Sequence, residues 1–128
     1  MKLYQKIASL LNARENCRKS ENTEWFNRHT DELESIADNE LPHGSGIDSG
    51  CTINLDKSNS NKIVIEMEYH HMTEWGMYDG WSDHTITIKP DLFSGFCMSI
   101  SGRNRNDIKE YLYQVFESVL NEEYYTTN

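Results

Sequence analysis

Residues 63–88 read IVIEMEYHHMTEWGMYDGWSDHTITI, and their alternation decides the fold. Ile63, Ile65, Met67 and Tyr69 recur at every second position, as do Ile86 and Ile88, while Glu66, Glu68, Thr85 and Thr87 fall between them. A period of two sends one set to a covered face and the other to water, as in half-buried antiparallel strands. Cys51, Ile53 and Leu55 repeat the pattern upstream with Thr52 and Asn54 between them. Phe96, Met98 and Ile100 repeat it downstream with Ser99 and Ser101. Four such runs in succession predict an antiparallel meander.

Working outward, the period becomes helical. Leu3, Ile7, Leu10 and Leu11, with Cys17 a further turn on, predict a first helix over about residues 2–18. Thr23 is a cap for a second helix in which Trp25, Phe26, His29, Leu33 and Ile36 share a face. Leu41-Pro42 closes it, because the residue before proline is pushed out of the helical region. HGSGIDSG then makes a glycine-serine loop into the sheet. A last helix is expected from Asn104, with Asp107 in its first turn and Ile108, Tyr111, Leu112, Val115, Phe116 and Val119 as its stripe. The expected architecture is α+β: one domain over residues 1–128, helical over 1–41, a four-stranded antiparallel meander over 50–102, and a C-terminal helix over 104–121. All helices fall on one face of the sheet.

A chain of 128 residues is one domain's worth, and at that size roughly two-thirds of the unfolded surface is buried without metals or disulfides. Cys17, Cys51 and Cys97 are an odd number with no C-x-x-C spacing, which reads as reduced thiols inside a cell. The start, MKLYQKIASLLNARENC, spaces its apolar residues helically and is neither a signal peptide nor a membrane span. A cytoplasmic protein is expected. The net charge is −9, with residues 1–20 at +4 and the remainder at −13. Such a field disfavours direct binding to nucleic acid or an anionic membrane and suits a basic partner or simple solubility.

The densest chemistry lies in residues 69–84, taken as the turn between two strands: two tryptophans, two tyrosines, three histidines and three carboxylates. Parity continues the core face to His71 and His84 and puts His70 on the wet face with Glu66 and Glu68. His71 and His84 become cross-strand neighbours, and with Glu74, Asp79 or Asp83 they are weak candidates for a metal. HHMTE is not the helical H-E-x-x-H arrangement, and hydrogen-bonded rim histidines are the simpler reading. Trp75, Tyr78 and Trp81 have two readings, a mini-core over the sheet end or anchors for a partner. Trp75, beside Gly76 near the tip, is the expected anchor, and Trp81, near the returning strand, the expected structural residue. The GSGIDSG loop follows a helix and enters a strand, the wrong order for a phosphate fingerprint, and Asp48 would repel an anion. Arg103 and Arg105 at a helix start oppose the dipole, so they pair with Asp79 or Asp83 or meet an anionic ligand. Residues 21–40 hold seven carboxylates, Glu32, Glu34 and Asp38 among them, against Arg28 alone.

The runs LPHGSGIDSG, YDGWSDHTITIKPDLFSGF and SGRNRNDIKEYLYQVF together resemble small uncharacterised proteins encoded by bacteriophages and prophages, over most of residues 40–120. The resemblance carries no catalytic residue with it. It implies a short accessory protein of the kind that binds and disables host machinery, anti-defence or anti-CRISPR-like. The expectation is a non-catalytic inhibitor of a host protein or nucleoprotein complex, with no cofactor. Trp75, Tyr78, Asp79, Trp81 and Asp83, the acidic Glu32, Glu34 and Asp38, and Arg103 and Arg105 would be its contact residues. Acidic mimicry of nucleic acid is one route, and a homodimer is left open. The alternative is a nucleotide- or metal-binding protein or enzyme built on the 69–84 hairpin with Arg103 and Arg105.

Overall fold

Leu3, Tyr4, Ile7, Leu10 and Leu11 repeat at helical spacing and are buried on one side of helix α1, Leu3–Lys19. The computed structural model describes residues 1–44, 46–47, 50–72, 75–91, 93, 95–102 and 108–124, and for Tyr78 and Asp79 the backbone alone. After a turn at Ser20–Asn22, in which Glu21 takes φ 58°, α2 (Thr23–Asn39) runs back against α1. Its N-cap is Asn22 rather than Thr23: the Asn22 side chain accepts from the Trp25 backbone N–H at 3.3 Å. Leu33, Ile36 and Ala37 carry the buried face of α2.

Strands β1 (Cys51–Ile53), β2 (Ile63–Met72), β3 (Tyr78–Asp91) and β4 (Gly95–Gly102) form one antiparallel sheet in the order β1-β2-β3-β4. Ile65 stands opposite Ile53 and Ile86, and Ile86 opposite Ile100, so the apolar parity of all four strands lies on one face. That face, with α1, α2 and the short α3 (Lys109–Leu120), encloses a single core including Ile7, Leu33, Ile65, Ile86, Leu112 and Phe116. The α+β class and the order of elements agree with the sequence pattern.

Three details differ from it. The connection between β2 and β3 is not a long loop, because the ladder runs from Ile63↔Ile88 to His70↔Trp81 and resumes at Met72↔Tyr78 after a bulge. Trp25 stands exposed beside His29 and Arg28 rather than in the core, and Cys17 is only half-buried. Leu112 and Phe116 are fully buried, but Val115 is half-buried and Tyr111 exposed, so the stripe of α3 is narrower than its apolar letters. The expected helix start at Asn104 and Asp107 lies outside the described residues.

The two ends of the described chain are stitched together. The Leu3 N–H donates to the Glu122 carbonyl at 2.9 Å, and the Tyr124 N–H to the Met1 carbonyl at 2.7 Å. The Met1 amino group lies 3.3 Å from the Glu123 carboxylate.

Candidate functional site

Extending β2 and β3 past the core turns the hairpin into a projecting ribbon with three chemistries. On its core side lie His71, Ser82 and His84, all buried. Tyr69 stands opposite Ser82 and Met67 opposite His84, so the three polar side chains follow from strand parity. The Ser82 hydroxyl lies 2.8 Å from His71 Nε2 and 2.7 Å from His84 Nε2. Ser82 thus bridges two imidazoles that are not cross-strand partners as the sequence pattern had them: His84 stands opposite Met67, and His71 lies in the bulge between His70 and Met72. Among the described residues His84 Nδ1 has no hydrogen-bond partner. An unmet acceptor costs less than an unmet N–H, so the proton sits on His84 Nε2, which donates to Ser82, and Ser82 donates to His71 Nε2. Burial holds the His84 pKa below its ordinary 6.5; the neighbouring His71 and Lys109 add to this and Asp83 opposes it.

Glycine at two positions permits this packing. A Cβ on Gly102 would strike the Asp83 carbonyl and the His84 ring. At Gly46, with φ 100°, a Cβ would come 2.7 Å from the Tyr69 ring. The Gly46 carbonyl also accepts from the His70 backbone N–H at 2.8 Å, docking Gly46 on the ribbon. The Tyr69 ring in turn stands edge-on to His71, with centroids 5.0 Å apart.

The wet face is acidic. Glu68 lies directly opposite Asp83, and Glu66 opposite Thr85. These line an open groove of about 480 Å³ with Gly50 and Thr52. Like charges opposite one another weaken a ladder. The His70 imidazole lies 3.8 Å from the Glu68 carboxylate, and Asn54 donates to Glu66 at 2.9 Å.

The third chemistry is apolar and exposed. Met72, Trp75, Met77 and Trp81 keep 60, 79, 68 and 62% of their surface in water. Trp75 is the most exposed of the four. Trp81 is not the structural residue the sequence indicated: paired with His70 at the register position before the bulge, it falls on the wet side with Asp83. Parity would have found this, since Trp81 is an odd number of residues from the core-facing Ser82, His84 and Ile86.

The remaining expected site residues are scattered. Glu32 pairs with Lys6 at 3.5 Å, while Glu34 and Asp38 are exposed on α2 beside β1. The side chains of Tyr78 and Asp79, and all of Glu74, Arg103 and Arg105, lie outside the described residues. Among the described residues no three His, Cys, Asp or Glu side chains converge as a metal shell. No helix among them is long and apolar enough to cross a membrane. Ser82 was the residue sequence reasoning missed, although it shares the parity of His84 two positions on. No family model, curated protein or solved structure matches this chain.

Proposed function

We propose that the chain is a non-catalytic accessory protein of phage type that binds and inhibits a host protein or nucleoprotein complex in the cytoplasm, with the β2–β3 ribbon as its contact. The observation that carries the reading is the apolar tip: four large side chains within ten residues, each more than half exposed. Water charges heavily for such a patch, and Trp with adaptable Met is the composition of binding hot spots. The adjoining Glu68 and Asp83, on a chain of net charge −9, favour a partner with a basic rim.

Acidic mimicry of nucleic acid is a second element of the same reading. Asp31, Glu34 and Asp38 fall on one stripe of α2 and make no ion pair among the described residues, whereas Glu24 is matched by Arg28 and Glu32 by Lys6. The small-ligand alternative is favoured by one observation, a serine hydroxyl held between two imidazoles. Ser82 is buried, so a substrate would need the ribbon to open. A nucleotide or metal retained in native mass spectrometry would support that alternative over the binding reading.

The direct test is capture of a complex from host lysate, followed by affinity measurement on the purified partner. Trp75→Ala and Trp81→Ala should each keep the melting temperature and weaken binding by about 2 kcal/mol. Unchanged affinity in both variants overturns the ribbon as the contact. Lysine at Glu34 and Asp38 should abolish binding with a steep salt dependence if α2 mimics phosphates. Indifference to salt leaves the ribbon acting alone.

A further inference from the structure

The two edges of the sheet are built differently. β1 is three residues long and gives way to a turn carrying Asp56 and Lys57, a short and charged edge of the kind that resists pairing. β4 at the other edge is eight residues long, and residues 92–102 contain no charged residue and no proline. In a chain with 26% charged residues, that leaves one long neutral edge.

Which β4 groups face outward follows from Pro90. It stands opposite Phe96 and has no N–H, so the pair cannot exchange ladder hydrogen bonds. Phe96, and by alternation Met98, Ile100 and Gly102, therefore turn their N–H and C=O away from β3. The opposite edge gives the same parity. The Asn54 N–H donates to the Val64 carbonyl at 2.8 Å, so Val64 bonds toward β1, Ile63 and Ile65 toward β3, Ile86 and Ile88 toward β2, and Thr87 toward Ser99. Among the described residues, no backbone group outside β3 pairs with these four residues.

We infer that β4 is a homodimerisation edge: a second copy of this chain adds antiparallel across it, making one continuous eight-stranded sheet. A two-fold axis at Ser99 engages every outward group from Phe96 to Gly102, pairing Phe96 with the partner copy's residue 102 and Met98 with its residue 100. That register matches the strand to itself. Each Phe96 covers a glycine, the known remedy for a glycine in a strand. Met98 and Ile100 meet on the apolar face, and the two copies of Ser99 face each other in the polar row. No like charges oppose one another, which a chain of net charge −9 offers nowhere else in its sheet over so long a run.

Sedimentation equilibrium over a concentration series tests this. The wild-type chain should reach twice its 15.0 kDa mass. Ser99→Lys, an exposed position that a monomer tolerates, puts two ammonium groups on the axis and should raise the dimer dissociation constant about fivefold or more. Mixing Ser99→Lys with Ser99→Glu should restore a heterodimer tighter than either homodimer, a result that misfolding does not give. Thr52→Lys on the β1 edge, and alanine at Trp75 and Trp81, should leave the dimer unchanged, which separates this edge from the proposed ribbon contact. A wild type that stays monomeric at its solubility limit overturns the inference. So does a dimer indifferent to Ser99→Lys, or one not rescued by the charge pair.

Discussion

Ser82 sits where one hydroxyl serves two buried imidazoles, so its removal takes a hydrogen bond from both at once. Ser82→Ala should lower stability by about 1–3 kcal/mol despite changing a single oxygen, measured as a shift of the urea midpoint at pH 8. The same network sets an acid limit. His84 has its folded pKa below 6.5, so the unfolded chain takes up a proton first as pH falls. Its contribution is complete above about pH 6.5 and is lost as pH descends toward the lower folded value. A wild-type midpoint that holds constant from pH 7 to pH 5 would refute this assignment. The imidazole cannot escape by finding an acceptor on its other side, because Gly102 packs against Nδ1.

Among the elements, the strands were the most legible, because period-two alternation survives burial of one face; Ile63 to Ile88 show the parity, but the register is not in the letters, since His84 pairs with Met67 and not with His71. Glycine and tryptophan look like turn chemistry, so the letters of the hairpin suggest a loop. In the structure Gly80, with φ 84°, sits inside β3, where a strand irregularity absorbs it. The exposure of Trp25 shows the converse: an aromatic at the right helical angle stays out of the core, with the Arg28 guanidinium 4.9 Å from its ring centroid. The candidate site was half legible. Strand parity located His71 and His84, yet nothing in the letters announced that a serine would join them. Packing within α3 makes a sharper test than its apolar letters do. Phe116→Asp should abolish folding, since an unpaired charge in a fully buried site costs several kcal/mol, comparable with total stability. Val115→Asp, at a half-buried position, should fold with a lowered melting temperature, and circular dichroism of the two variants checks the contrast.

For the molecule as a whole, the three helices among the described residues pack on one face of the sheet, the opposite face carries Glu66, Glu68, Thr85 and Thr87, and the ribbon extends that polar face beyond the core. Exposed and buried bulk are thereby separated along the chain: Trp75, Met77 and Met72 stand mostly in water, while Ile7, Leu33 and Phe116 are fully buried in the core. The joined ends have their own consequence. With Tyr124 hydrogen-bonded to Met1, the backbone is already almost a closed ring, and the order in which its elements are synthesised is a matter of where the ring is cut. A circular permutant that links residue 124 to residue 1 by a short glycine-serine bridge and opens between Ser60 and Asn61, in the turn before β2, should fold with a melting temperature close to the parent's. Its new ends would emerge at the opposite end of β2 from the ribbon, giving a fusion or immobilisation point that leaves the tryptophans free.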